Sequence, residues 1–152
     1  MDLILWRHAE AEDSAPDMAR ILTPKGQKQA RRMAEWLDSQ LPEGCKILVS
    51  PAVRTLQTVE PLGRKFKVVN ALAPDASPEA VLQAANWPNS REPVLVVGHQ
   101  PTLGQVAALL LCGQPQYWEM KKGSAWWIVQ REPKDPDSIY LKAVLTAELA
   151  GK

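Results

Sequence analysis

The chain alternates short apolar runs with longer stretches in which apolar and polar positions mix. Six runs predict strands, at residues 3–6, 47–49, 67–69, 93–98, 125–129 and 139–144. The first, second and fourth end abruptly in polar residues, which is typical of strands buried on both faces of a parallel sheet. The last two are joined by a charged loop over residues 132–138, so we expect them to form a hairpin at a sheet edge.

Between the runs, apolar residues recur at helical spacing. Helices are predicted to begin at Thr23, after Ser50, at Ser77 and after Pro101, because a hydroxyl cap or a proline in the first turn favours a helix start. The first helix should end near residue 42. Strand, turn and helix therefore alternate, which predicts an α/β protein: a three-layer α/β/α sandwich with a mostly parallel central sheet, in a single domain over residues 1–152.

Charge and cysteine content exclude several classes of protein. The chain has 18 Lys and Arg against 17 Asp and Glu, so we expect neither nucleic acid nor an anionic membrane as its partner. No apolar run approaches the roughly 20 residues that span a bilayer, and the first residues lack the pattern of a secretory signal, so we expect a cytoplasmic protein. Cys45 and Cys112 have no metal-ligand spacing around them, which predicts reduced thiols and no metal site.

Both histidines of the chain and two arginines follow the three most buried strands. Arg7 and His8 come directly after the first strand, Arg54 falls in the first turn of the helix after the second, and His99 follows the fourth. Ligands bind outside the carboxyl ends of parallel strands, so these side chains should converge. Arginine matches phosphate oxygens bidentately, and histidine can attack as a neutral ring. We therefore predict a phosphoryl-transfer site in which one histidine attacks while the other stays protonated.

Four blocks in this order also carry a family resemblance. They read LWRHAE at residues 5–10, RILTPKG at 20–26, VSPAVRTLQT at 49–58 and VVGHQP at 96–101. They resemble the histidine phosphatase superfamily, and most closely its small SixA-type phosphohistidine phosphatases. The resemblance covers about residues 1–110. This sequence departs from the family's usual Arg-His-Gly pattern at Ala9, where the backbone freedom of glycine is lost.

The resemblance implies a phosphoglycerate-mutase-like fold, no metal and no organic cofactor. It implies that His8 is the nucleophile and becomes transiently phosphorylated. Arg7, Arg54 and His99 would then hold the phosphoryl oxygens. Ser50 and Arg20 are further candidates for phosphate binding, because a hydroxyl and a loop guanidinium could reach the same pocket, although a purely structural role suits each as well. Thr23 and Gly26 read as a helix cap and a packing residue.

The leaving group decides which substrate the chemistry suits. An alkoxide needs an acid to protonate it, whereas the ring nitrogen of phosphohistidine leaves more easily. Asp75 and Glu79 are the candidate acids, but neither lies in a recognisable motif, and Glu79 suits the first turn of a helix. A chain of 152 residues also leaves little for a lid. We therefore expect a phosphorylated histidine-containing protein domain, of a phosphorelay or phosphotransfer system, as the substrate of a monomeric enzyme.

Three alternatives stay open. The first is a small-molecule phosphomonoesterase of the same superfamily. The second is a non-catalytic module that binds phosphate through the arginines, although none of the four central residues is missing. The third is an interaction protein built around tryptophans, with one ring of the neighbouring pair exposed; the residues concerned are Trp87, Trp118, Trp126 and Trp127.

Overall fold

A six-stranded sheet forms the centre of the protein in a computed structural model that describes residues 1–151. The strands are β1 Asp2–Arg7, β2 Lys46–Val49, β3 Lys67–Val68, β4 Val94–Gly98, β5 Ala125–Gln130 and β6 Ile139–Leu145. The helices are α1 Pro24–Gln40, α2 Val53–Val59, α3 Pro78–Ala84, α4 Thr102–Cys112 and α5 Ala147–Ala150. The six predicted strands and four predicted helices are thus confirmed, and α5 was not predicted because its four residues are too few to show a period.

The strand order in the sheet is β3-β2-β4-β1-β5-β6. The first four strands run parallel, whereas β5 is antiparallel to β1 and β6 is antiparallel to β5. The predicted mostly parallel sheet with a hairpin at one edge is therefore confirmed. Because β2, β4 and β1 are neighbours and parallel, their carboxyl ends meet at one edge, with Arg7 paired to Gly98 and Val49 to Val97.

Helices cover both faces of the sheet, as the pattern predicted. Alternate residues of β1 divide between two apolar cores: Ile4 and Trp6 pack with α1, whereas Leu3 and Leu5 pack with α3 and α4. This alternation follows from the two-residue period of a strand. A continuous apolar run in the sequence therefore corresponds to a strand that is buried on both faces.

The tryptophan pair on β5 does not supply an exposed ring, so that expectation was wrong. Trp127 is 5% exposed, and its Nε1–H donates to Asp2 at 2.8 Å. Trp126 is half-buried against Trp118, with ring centroids 6.2 Å apart. Trp127 also packs edge-on against Trp36 of α1, so each ring is covered by another tryptophan.

Candidate active site

The carboxyl ends of β1, β2 and β4 bring the predicted residues together. Arg7 ends β1 and His8 follows it, Arg54 is the second residue of α2, and His99 follows β4. They surround a cavity of about 320 Å³. Its lining consists of Arg7, His8, Ala11, Asp17, Arg20, Arg54, Pro74, Asp75, His99, Gln100 and Lys122. The lining is dominated by charged and polar groups, as an anion site requires.

His8 is held with one ring nitrogen free. Its Nδ1–H donates to the carbonyl oxygen of Ala9 at 2.8 Å, and the Ala9 N–H donates to Thr58 at 3.0 Å. A carbonyl oxygen only accepts, so the proton lies on Nδ1 and Nε2 keeps its lone pair. Burial lowers the pKa of His8 to about 4, helped by the charges of Arg54 and Arg7 and opposed by the bond to Ala9. The ring is therefore neutral at pH 7.

His99 faces His8, and their ring centroids are 5.3 Å apart. The Ser50 hydroxyl and His99 Nε2 share a hydrogen bond of 2.7 Å, and Ser50 is fully buried. Burial, followed by the neighbouring His8 and Arg54, lowers the pKa of His99 to about 3. The prediction that the second histidine stays protonated is therefore wrong for these surroundings. Burial and the charges of Arg54 and Arg7 favour a neutral ring, against the weaker opposing effect of Asp17.

Two arginines are fixed by backbone carbonyls. Arg7 donates from Nη1 to the carbonyl of Met120 at 2.7 Å, and Arg54 donates from Nη1 to the carbonyl of Asp17 at 2.8 Å. Burial lowers the pKa of Arg7, opposed by the nearby Tyr117 and Glu119. Arginine nevertheless stays charged at neutral pH in proteins. Both guanidinium groups are therefore oriented cations at the cavity.

Buried side-chain polar atoms without a partner cluster at this cavity. In residues 1–151 there are four such atoms: Arg7 Nε, Arg54 Nε, His99 Nδ1 and Arg32 Nε. The first three belong to residues that line the cavity. Buried polar groups are almost always hydrogen-bonded, so three unpartnered nitrogens in one place indicate a site for a polar ligand.

The remaining candidates for phosphate binding and for the general acid differ in whether they line the cavity. Arg20 lines the cavity, but Ser50 lies behind His99 and contacts that ring instead of the cavity. Asp75 lines the cavity with its backbone at a φ of 70°, in a turn ahead of α3. Glu79 is exposed on the first turn of α3 and is not part of the lining. Of the two candidate acids, only Asp75 lies at the site.

Sequence reasoning missed three charged or polar residues of the lining, Asp17, Gln100 and Lys122. Lys122 had a usable signal: it precedes β5, and an antiparallel neighbour of β1 begins at the edge where β1 ends. Gln100 connects α4 to the next segment, because it accepts from Gly104 N–H at 2.7 Å and donates to the Trp118 carbonyl at 2.8 Å. Asp17 lies in an exposed loop without any periodicity, so no pattern marked it.

Ala9 fits the place where the family pattern has glycine. The described non-glycine residues with positive φ are Asp75 and Asn86, so the backbone at Ala9 needs no glycine. Its methyl group is buried beside Leu22 and Ala30. Gly26, by contrast, has no room for a side chain, as predicted: a Cβ there would lie 1.9 Å from the carbonyl oxygen of Glu10. Thr23 caps α1 by accepting from Gly26 N–H at 2.9 Å, as predicted.

Residues 1–151 contain no group of three or more His, Cys, Asp or Glu side chains arranged to hold a metal ion. Nor do they contain a helix with the length and apolar character needed to cross a membrane.

The chain is similar in sequence and in structure to proteins of one known family. A profile of the histidine phosphatase superfamily (branch 1) matches residues 3–76. Phosphohistidine phosphatase SixA of Escherichia coli (strain K12) is 34% identical over 124 residues, which cover 75% of this chain and 76% of that protein. The solved structure of protein histidine phosphatase SixA complexed with tungstate has a TM-score of 0.77 at 28% identity and covers 97% of both chains.

A third relative shares the fold alone. Phosphoserine phosphatase from Entamoeba histolytica, solved with 3-phosphoglyceric acid, has a TM-score of 0.73 at 16% identity and covers 95% of this chain and 96% of its own. The sheet order, the paired histidines and the two arginines, taken with these matches, place the chain in a class: it belongs to the histidine phosphatase superfamily. Within that superfamily it is a SixA-type protein, and it is a phosphatase.

Proposed function

We propose that this phosphatase removes the phosphoryl group from a phosphorylated histidine on a protein, through a covalent intermediate on His8. The observation that carries the proposal is the bond from His8 Nδ1–H to the Ala9 carbonyl, which leaves a lone pair on Nε2. A neutral nitrogen nucleophile beside two fixed guanidinium groups is what phosphoryl transfer needs.

The reaction has two steps. His8 Nε2 attacks phosphorus, the bond from phosphorus to the substrate nitrogen breaks, and the leaving nitrogen keeps the electron pair of that bond and takes a proton from solvent water. A water molecule then attacks the phosphorus on His8 and gives up a proton to solvent, the bond from phosphorus to Nε2 breaks, Nε2 recovers its lone pair, and inorganic phosphate leaves. In both steps Arg7, Arg54 and the free Nδ1 of His99 would hold the three oxygens of the phosphoryl group, which stay on phosphorus, because these residues carry the unpartnered nitrogens at the cavity.

A protein-borne phosphohistidine suits the surroundings of the cavity. The connection between β1 and α1 folds back on itself, with Ala11 bridged to Leu22, and it is fixed by a bond of 2.8 Å from Glu12 N–H to the Ile21 carbonyl. The segment before β5 is likewise bonded to the end of β1, from Gly123 N–H to the His8 carbonyl at 3.0 Å. Backbone bonds thus hold both connections to the body of the protein, and we expect the cavity that they border to admit a ring presented on a protein surface. The relatives named for phosphohistidine support the same substrate class.

A small phosphomonoester is the second candidate, and Asp75 is the observation that favours it. This carboxyl group lines the cavity and could protonate an alkoxide leaving group. The fold shared with a phosphoserine phosphatase fits either substrate. Asp75 is exposed and accepts no side-chain hydrogen bond in residues 1–151, so nothing holds it against a leaving oxygen.

Competition between substrates tests the proposal. The purified protein is offered a phosphohistidine peptide, a phosphorylated histidine-containing phosphotransfer domain, phosphoserine and a panel of sugar phosphates, and kcat/KM is measured for each. We expect the phosphorylated domain to exceed every ester by at least about a hundredfold. The His8→Asn variant, whose amide can still donate to the Ala9 carbonyl, is the matched inactive control. A higher kcat/KM for a sugar phosphate would overturn the proposed substrate and favour the ester reaction.

A further inference from the structure

The Asp17 carboxylate contacts Arg54, a guanidinium group that the proposed reaction uses to hold phosphoryl oxygens. Arg54 donates from Nη1 to the backbone carbonyl of Asp17 at 2.8 Å and from Nη2 to its carboxylate at 3.2 Å. The second carboxylate oxygen accepts from Arg20 Nη1 at 3.3 Å. All three residues line the cavity. Asp17 therefore binds two of the guanidinium groups around the site.

The two contacts between Asp17 and Arg54 differ in charge. The backbone carbonyl is neutral, so it can orient the guanidinium while an anion binds beside it. The carboxylate is an anion, and a phosphoryl group that reaches Arg54 Nη2 comes within a few ångströms of it. Like charges this close repel each other even at the dielectric constant of water, and more strongly at a partly buried site. A bound phosphoryl group and the carboxylate therefore compete for Arg54.

Exposure favours displacement of the carboxylate over displacement of the arginine. The Asp17 side chain is 56% exposed, whereas that of Arg54 is 5% exposed. Asp17 lies in the exposed loop of residues 12–19, at the start of a single 3-10 turn, Asp17–Ala19. The carboxylate can rotate into water at little cost, but the guanidinium is enclosed and also bound to the Asp17 carbonyl. Burial acts to raise the pKa of Asp17, but Arg54 and Arg20 outweigh it and hold that pKa below its usual value, so the group is charged at pH 7.

We propose that the Asp17 side chain is a displaceable counter-ion, which the phosphoryl group must displace from Arg54 on binding and which returns as inorganic phosphate leaves. The Asp17 carbonyl keeps Arg54 oriented throughout. This device weakens the hold on the product phosphate without loosening the arginine. The inference rests on the cavity binding a phosphoryl group and not on the molecule that carries it, so it stands apart from the proposed protein substrate.

Binding of inorganic phosphate is the direct test, measured by calorimetry at low ionic strength and pH 7.5. We expect Asp17→Asn to bind phosphate about tenfold tighter than the parent protein, because the variant removes the competing charge and keeps the backbone carbonyl. Asp17→Glu keeps the charge and should stay within about threefold of the parent. The inhibition constant of phosphate as a product should fall in Asp17→Asn by the same factor.

Asp38→Asn is the matched control. Asp38 pairs with Arg64 at 2.9 Å on a surface outside the cavity, and its side chain is 58% exposed. The variant makes the same change in net charge and should leave phosphate binding unchanged. Raising the salt concentration should shrink the gain in Asp17→Asn, since screening weakens repulsion between exposed charges.

Several results would overturn the inference. Weaker phosphate binding in Asp17→Asn would mean that the carboxylate positions Arg54 and does not compete with phosphate. Unchanged binding would mean that the carboxylate has no influence on the anion. Equal tightening in Asp17→Glu or Asp38→Asn would mean that the cause is not the local charge. Circular dichroism and thermal unfolding of each variant establish that the folded proteins are being compared.

Discussion

The cavity has two walls that differ in how they are built. The strand-end wall consists of Arg7, His8 and His99, which end or directly follow the buried strands β1 and β4, and Ser50 at the end of β2 supports His99 from behind. The loop wall consists of Asp17, Arg20, Asp75 and Lys122, which come from connecting segments. On the strand-end wall, His8 is 7% exposed and His99 is 4% exposed, whereas Asp17 and Asp75 are exposed.

This difference separates two tasks. The buried wall holds neutral rings and oriented donors in one arrangement, so the groups that attack and stabilise charge need not reorganise during the reaction. The loop wall is solvated, so its ion pairs can break and re-form as an anion enters and leaves. Changes on the first wall should therefore damage stability or chemistry, and changes on the second should shift affinity.

Apart from the loss of activity on replacing His8, the largest expected effect is a fall in the free energy of unfolding at acid pH. The unfolded pKa of histidine is about 6.5, while burial lowers the pKa of His8 to about 4 and that of His99 to about 3. Between these values the unfolded chain binds protons that the folded protein does not. The free energy of unfolding should therefore fall as pH drops from about 6.5 to 4, by about 3 kcal/mol for His8 alone.

Urea unfolding at several pH values in phosphate-free buffer measures this loss. The His8→Asn variant cannot bind the proton, so its stability should decline less steeply over the same range. Equal slopes for the variant and the parent would show that His8 is not the buried neutral ring described here.

A smaller effect is expected from Ser50→Ala on the same wall. The hydroxyl is bonded to His99 Nε2 at 2.7 Å and accepts from Ala52 N–H at 3.3 Å. Without it, the His99 ring loses the partner that fixes its orientation, so kcat should fall about tenfold with little change in KM. The ¹⁵N shifts of the His99 ring, which report its tautomer, should change as well.

Ser39→Ala is the control for that variant, because Ser39 donates to the Trp36 carbonyl at 2.6 Å on an exposed stretch of α1. Its kcat should match that of the parent. Parent-like kcat and ¹⁵N shifts in Ser50→Ala would show that the Ser50 hydroxyl does not orient the His99 ring. Ser50→Ala is thus expected to lower kcat, whereas Asp17→Asn is expected to raise the affinity for phosphate. The two variants therefore test the two walls separately.

The same two walls explain what could be predicted from the sequence. A strand buried on both faces appears as a continuous apolar run, and the residues after it are then placed at a known edge of the sheet. Arg7, His8 and His99 could be found in this way, and Arg54 followed from the helix start. No such constraint acts on Asp17, because an exposed loop has no hydrophobic period and its position depends on the partners it finds in the folded protein.

Protonation was harder to predict than position. The residue type indicates a ring that can be neutral or charged at pH 7, but the choice depends on burial and on the charges nearby. His99 lies beside Arg54 and His8 and is enclosed, so its pKa moves away from the value that the sequence alone suggests. The Ser50 hydroxyl behind it likewise became meaningful only when the two strands were placed side by side.

The central claim is that Nε2 of His8 accepts the phosphoryl group, and trapping the intermediate tests it most directly. The protein is mixed with a ³²P-labelled phosphohistidine peptide, quenched within milliseconds under alkaline denaturing conditions, digested and mapped by mass spectrometry, with His8→Asn treated in parallel. We predict an acid-labile phosphoryl group on the peptide containing His8 and none in the variant. A label on another residue, or label retained in His8→Asn, would contradict the account.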